Sequence, residues 1–402
     1  MTGILRTSRR RRRPARAGAE LRAARSRSGT AHGLDGGVAL STGLLAGIGI
    51  VMVYSATAPL ELGSVLPQHF LRHASGVLLS LGIAAACLWI PLSFWQRWAR
   101  PLWIAVVLLL VATLAIGVRV NGATRWLVLP WIGPFQPGEP AKLATLLAVA
   151  RVLAQREVRG GLSSAQLKEI LFLALTPGAL LLAQPDFGTA SVLILLVGLL
   201  LFVAGAPLRR LWLPGSLAAL AGALYVALNP YALRRVTGFR DPWSQASDEG
   251  YQLVQSFVAF GLGGTTGVGL GDGRQKLGYL PEAHTDFILS VLAEEMGLVG
   301  VLIVIGAFAA LTLAGLRIAQ RARDPFAALV ALGMTGLIAV PAGINAGVVM
   351  GLLPTKGFAL PFLSYGRSAL LVSALAIGLL LRTAASEGRR GGSAREARGE
   401  TT

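Results

Sequence analysis

Asp286-Phe287-Ile288-Leu289-Ser290-Val291-Leu292-Ala293-Glu294-Glu295-Met296-Gly297-Leu298-Val299-Gly300-Val301-Leu302-Ile303 opens an apolar segment that runs on to about residue 316. It is longer than the roughly 20 residues of helix needed to cross a hydrocarbon core. A backbone in lipid must satisfy its own hydrogen bonds, so the segment predicts a transmembrane helix. Comparable apolar windows lie near 38–57, 74–92, 101–118, 141–155, 168–184, 187–205, 209–228, 327–350 and 358–382. The alternating pattern of a membrane β-barrel is absent. With 54% hydrophobic and 14% charged residues in a chain of 402, the composition lies outside that of soluble globular domains. The sequence therefore predicts an all-α integral membrane protein of about ten transmembrane helices, with a large loop at 229–285 between the seventh and the eighth.

An even number of spans puts both termini on one side. Placing them in the cytoplasm gathers Arg97, Arg100, Arg151, Arg156, Arg159, Lys168, Arg209, Arg210, Arg317, Arg321 and Arg323 into inside loops, which is the positive-inside pattern. Residues 1–36 then form a basic, apolar-poor cytoplasmic tail with the run Arg9 to Arg13, and residues 384–402 a second polar tail, both expected to be disordered. Between them, 37–383 form one polytopic membrane domain. Much of the formal net charge of +18 lies in the first tail, without interleaved aromatics, which suits anionic lipid and not nucleic acid. No apolar core of a cleaved signal peptide precedes the first span. The single cysteine, Cys87, lies in an apolar run and excludes an intramolecular disulfide.

Three segments fall on the outer face under this topology. They are 119–140, where turn dipeptides alternate with aromatics and an interfacial position is expected, the loop 229–285, and 351–366. The glycine-rich run 261–273 lacks the strand–turn–helix context of a dinucleotide site. Paired broken helices of a secondary transporter are not evident.

Ionisable groups within or beside spans are costly and mark candidate sites. Asp286 stands where the polar stretch Tyr279 to Thr285 becomes a span. Two readings of it stand: Thr285 caps the helix while Asp286 complements its dipole, or the carboxylate is held at the water boundary for proton chemistry. Glu294 and Glu295 lie about 12 Å further along the helix, too deep for a group reacting at Asp286; a structural pairing with a buried cation such as Lys142 is expected. Asp186, in the turn Gln184-Pro185-Asp186, suits an N-cap. The outer cations are Arg125, Lys142, Arg234, Arg235, Arg240, Arg274, Lys276 and Lys356; several near one carboxylate suit an anionic phosphate head group. No histidine spacing fits a structural zinc, and His284 alone lies beside a carboxylate. Asp286 could share a loosely held Mg²⁺ or Mn²⁺ with substrate pyrophosphate. No organic cofactor is indicated.

These stretches together resemble the SEDS family of FtsW/RodA-type peptidoglycan glycosyltransferases. The resemblance is carried by Asn121-Gly122-Ala123 with Arg125-Trp126, Phe135-Gln136-Pro137 with Glu139 and Ala141-Lys142, Gln184-Pro185-Asp186 with Gly188-Thr189, Tyr279 to Phe287, Glu294-Glu295 with Gly297, and Pro354 with Lys356-Gly357 and Leu360 to Gly366. Leu280 to Phe287 is most like the cell-division branch. Gly138, Pro140 and Arg367 depart from the family's usual Ser, apolar residue and Gly. The resemblance implies polymerisation of lipid II into glycan strands at the outer face of the bacterial cytoplasmic membrane, with Asp286 catalytic. It implies a substrate-binding set of Arg125, Lys142, Arg234, Arg240, His284, Lys356 and Ser364. It also implies a class B penicillin-binding protein and other division proteins as partners, beside the membrane lipids. A lipid II flippase and a scaffold without chemistry are the competing readings.

Overall fold

The computed structural model describes residues 35–396 except 62–65, 121, 131–132, 156–161 and 249. The basic tail of residues 1–34, Arg156, Arg159 and residues 397–402 thus lie outside the described residues. Twelve α-helices are present among those described: α1 (Gly36–Thr57), α2 (Gln68–Trp89), α3 (Leu92–Ile116), α4 (Gly138–Ala154), α5 (Ser164–Ala183), α6 (Phe187–Val203), α7 (Leu208–Leu228), α8 (Pro230–Arg240), α9 (Tyr251–Gly263), α10 (Ile288–Arg321), α11 (Pro325–Val349) and α12 (Arg367–Glu396). Eight of them are long and apolar enough to cross a membrane: α1 to α3, α5, α7 and α10 to α12. The remaining two expected spans are α4 and α6, each 17 residues, or about 25 Å of helix.

Helix starts follow local chemistry. Asp35 accepts from Gly37 N and Val38 N at 3.0 and 3.2 Å at the head of α1. Ser163 and Gln166 form a reciprocal capping box on α5. Asp324 accepts from Ala327 N on α11. The centre of the bundle is α4, which touches α3, α5, α6, α11 and α12 and buries every residue from Ala141 to Ala150. Its alanines let neighbouring backbones come close, the usual device of helix packing in lipid. By contrast α7, nearly all apolar, leaves Leu217, Leu220, Leu224 and Leu228 exposed, as a lipid-facing helix does.

Three segments depart from simple loops and tails. Three short strands form a small antiparallel sheet, β1 (Val118–Val120), β2 (Ala123–Leu129) and β3 (Gly133–Phe135), in the order β1-β2-β3. The region 229–285 carries α8 and α9, and α9 packs on α10 and buries Leu253, Val254, Ser256 and Ala259. At the other end of the chain α12 continues past residue 383 to Glu396, so the boundary expected for a C-terminal tail falls inside a helix.

The basic loops gather at one end of the bundle: Arg151 donates to Arg97 O at 3.1 Å, Arg210 donates to Leu162 O, and Arg100 pairs with Glu169. The sheet, α8, the 279–287 turn and the 351–366 segment meet at the opposite end.

Candidate active site

The turn before α10 is held by its own backbone. Glu282 takes a left-handed φ of +56°, and its carbonyl accepts from Thr285 N and Phe287 N at 3.1 and 3.2 Å. The Thr285 hydroxyl donates to Glu282 Oε2 at 2.7 Å. α10 then begins at Ile288 with no side-chain cap, so the capping role expected of Thr285 is corrected: its hydroxyl is committed to Glu282.

The 355–366 segment braces this turn. Asn345 of α11 donates one amide group to both Asp286 O and Phe358 O, at 2.7 and 2.6 Å. The Ser364 hydroxyl donates to Thr285 O at 2.6 Å and accepts from Leu360 N at 2.7 Å, while Tyr365 N donates to His284 O at 2.9 Å. Ser364 is 3% exposed. Its hydroxyl is used on both sides to lace the two segments together. Gly357 lies so close that a Cβ there would stand 2.3 Å from Asp286 Oδ2.

The half-buried Asp286 carboxyl is therefore set in a recess, and burial raises it from the ordinary 3.8 to about 7, assisted by the charge of Glu282 and opposed by Arg235 and Arg125. Across the recess Lys356 is lowered from 10.5 to about 8 by burial, with Arg125 and Arg235 acting the same way and Asp186 against them. The Lys356 ammonium lies 4.9 Å over the Phe187 ring. Arg125, on β2, donates to Pro185 O at 2.6 Å. Arg235, on α8, donates to Thr355 O at 3.1 Å. Asp186 caps α6 as expected, accepting from Thr189 N and Thr189 Oγ1 at 3.3 and 2.7 Å. A cavity of about 270 Å³ adjoins the recess, lined by Arg235, Asp248, Tyr251, Gln252, Pro281 and Thr355. On the other flank the rings of His69, His284 and Tyr365 gather, with centroids 5.6 to 6.2 Å apart, and His69 Nδ1 lies 2.6 Å from Glu61 Oε1. Burial lowers His284 from its usual value, so it is neutral near pH 7.

Asp286, Arg125, Lys356 and His284 thus meet at one end of the bundle. Lys142 does not present its charge there: it is 5% exposed and donates to Glu139 Oε1 at 2.8 Å. Its expected pairing with Glu294 or Glu295 is corrected too, because the cation bonded to Glu295 is Lys276, at 2.6 Å. Of the α8 arginines, Arg235 rather than the exposed Arg234 or Arg240 acts on Asp286. Neighbouring helix residues point about 100° apart, and nothing in the sequence sets the rotation of α8. Asn345 and Glu282 were also missed. A lone amide in an apolar span was the available signal for Asn345. Among the described residues no group of three or more His, Cys, Asp or Glu could hold a metal ion.

A helical multi-pass membrane protein whose recessed carboxylate faces several cations at one end of its bundle has the make-up of an enzyme for a lipid-linked anion. The family model described as "cell cycle protein", for FtsW, RodA and SpoVE, matches residues 38–389. A probable peptidoglycan glycosyltransferase FtsW from Alkalilimnicola ehrlichii is 43% identical over 356 residues, 87% of this chain and 88% of that one. The protein of the same description from Trichlorobacter lovleyi is 40% identical over 347 residues, covering 85% and 90%. Among solved structures, a chain of a peptidoglycan synthase complex superposes with a TM-score of 0.74 at 30% identity, over 88% of this chain and 98% of that one. Thermus thermophilus RodA, a rod shape determining protein, gives 0.65 at 28% identity over 87% and 96%. The chain belongs to the FtsW/RodA/SpoVE family.

Proposed function

We propose that the protein is a peptidoglycan glycosyltransferase of cell division that polymerises lipid II, with Asp286 as general base on the acceptor hydroxyl. The observation that carries this reading is the recessed Asp286 carboxyl, held against Gly357 with Arg125 and Arg235 acting on it and raised by burial to about 7. A general base works best when its pKa lies near the operating pH. As the acceptor hydroxyl attacks the anomeric carbon of the donor sugar, its proton passes to Asp286. The bond from that carbon to the pyrophosphate oxygen breaks, and its electron pair leaves with undecaprenyl pyrophosphate. The departing group is already acidic, so one carboxylate suffices, unlike the two of glycoside hydrolysis. Arg125, Arg235 and Lys356 stabilise the charge that develops on the phosphates.

The recess faces the outside of the bacterial cytoplasmic membrane and both termini lie in the cytoplasm; the clustering of Arg97, Arg100, Arg151 and Arg210 at the other end supports this orientation. A class B penicillin-binding protein is the partner that crosslinks the product, in keeping with the peptidoglycan synthase complex among the structural relatives, and other division proteins join them. Asp286 and Glu282, with two arginines acting on Asp286, do not by themselves form a site for a resident Mg²⁺ or Mn²⁺. The transport reading loses its coupling groups, because Glu294 and Glu295 are fully engaged with Lys276, Ser55 and backbone amides.

Purified protein incubated with lipid II, with and without Mg²⁺ or Mn²⁺, tests the proposal. Glycan polymer from the wild-type chain and none from Asp286→Asn is the expected result. Equal polymer from both removes the catalytic assignment. Absence of polymer in every condition, partner included, returns the scaffold or transport reading.

A further inference from the structure

The helix α10 is interrupted at Gly297, whose φ of +64° and ψ of −164° leave the helical region, and the glycine-rich loop 264–277 fills the gap. Leu298 N and Val299 N donate to Gly264 O and Thr265 O at 3.0 and 3.2 Å. In return Val268 N and Gly269 N donate to Glu294 O and Glu295 O at 3.0 and 3.1 Å. Groups freed by the break are thus bonded again, as irregular backbone at membrane depth requires.

Side chains complete the join. Glu294 accepts from Arg274 N and Gln275 N at 2.9 and 3.0 Å. Glu295 accepts from Lys276 Nζ at 2.6 Å, from the Ser55 hydroxyl of α1 at 2.7 and 2.8 Å, and from Gly271 N at 3.1 Å. Lys276 donates further to Ser55 Oγ and Gly271 O, both at 2.7 Å. Glu294, Glu295 and Lys276 are 0, 1 and 6% exposed. The end of the loop is tied forward as well, since Leu280 N donates to Gln275 O at 2.9 Å. Six residues later the chain reaches Asp286.

We propose that Lys276, Glu294 and Glu295 are positioning residues that latch loop 264–277 into the break of α10 and thereby fix the turn carrying Asp286 against Gly357. The inference rests on the reading of Asp286 as the general base. A buried charge left without its partner is strongly unfavourable, so the latch holds as a unit or opens as a unit. No residue of it touches substrate; it acts by fixing where the 279–287 turn starts, while Asn345 and Ser364 fix where it ends.

The test uses the full chain in lipid nanodiscs, with Lys276→Met, Lys276→Arg and Glu294→Gln compared with wild type by amide hydrogen exchange and by polymerisation of lipid II. Lys276→Met is expected to speed exchange over 268–287 at least tenfold and leave α11 and α12 unchanged. It should lower kcat at least tenfold with KM for lipid II within threefold, and Lys276→Arg should restore most of kcat. Glu294→Gln keeps the side-chain shape and is read by the same criteria where Lys276→Met does not fold. The proposal is overturned by exchange that rises in 268–280 while 281–287 and kcat hold, by unchanged exchange, or by a change in KM alone. A wild-type chain that makes no polymer even with the partner present defeats the functional reading, and exchange at 281–287 then decides the latch by itself.

Discussion

Replacing Asp286 by Asn should stabilise the protein at pH 8 and sharply lower its activity, a combination that separates a strained, proton-accepting carboxylate from a structural one. Asp286 titrates near 7 in the fold against an ordinary 3.8. The folded chain therefore binds this proton more tightly than the unfolded chain, and the associated stability is full below about pH 4 and lost as pH rises through about 7. A shift of about 3 units corresponds to roughly 4 kcal/mol borne by the wild-type chain above pH 7. Asn is neutral at every pH, so its gain approaches that figure at pH 8 and fades towards pH 4. Activity runs the other way. About one tenth of Asp286 is ionised at pH 6, where an ordinary aspartate is about 99% ionised, so kcat/KM should fall about tenfold for each unit below 7. Asn should cost on the order of 10² to 10⁴ in rate. Thermal unfolding at pH 5 and 8 and polymerisation across pH 5 to 9 measure both effects. A wild-type rate that is flat between pH 5 and 7, or an Asn variant whose stability gain over wild type is no larger at pH 8 than at pH 5, refutes the reasoning.

Gly357→Ala would bring a Cβ to 2.3 Å from Asp286 Oδ2; the carboxylate is the free end of a side chain and can swing away, so polymerisation should fall at least tenfold while unfolding changes by less than about 1 kcal/mol. Asn345→Ala removes the donor shared by Asp286 O and Phe358 O, which should cost about 1–3 kcal/mol in unfolding experiments and lower kcat more than it raises KM. Lys356 loses its proton near 8, so wild-type kcat/KM should decline above that pH, and Lys356→Met should remove this alkaline limb while lowering the plateau.

The helical architecture was legible because a span is a local property: each of the ten apolar windows corresponds to a helix, α1 to α7 and α10 to α12. What the sequence concealed depends on partners far along the chain. Lys276 meets Glu295 at a separation of 19 residues and Ser55 at 221, and no window includes all three. The sheet at 118–135 and the helices α8 and α9 lie in turn-rich or weakly apolar stretches, where periodicity carries little signal. In the site, Asp286, Arg125 and Lys356 could be picked out as ionisable groups at span borders. The choice of Arg235 over Arg234 could not, since it rests on the rotation of one short helix. The packing role of Ser364 stayed hidden because a hydroxyl in a matching motif serves packing or substrate equally well until its bonds are seen.

Asp286 and Lys356 are displaced in opposite directions for one reason: burial disfavours the charged form of each, raising the acid and lowering the base. The proposed reaction needs both in those disfavoured forms, Asp286 ionised to accept a proton and Lys356 protonated to face phosphate. Both conditions hold together only between about 7 and 8, so the recess narrows the working range as it sharpens the electrostatics. A third requirement follows. Bound pyrophosphate adds negative charge to a recess that already holds Glu282 and Asp186, and one cation whose own charge is costly there cannot balance it alone. Arg125 and Arg235 supply the further positive charge, and their tethers to Pro185 O and Thr355 O hold it in place before substrate arrives.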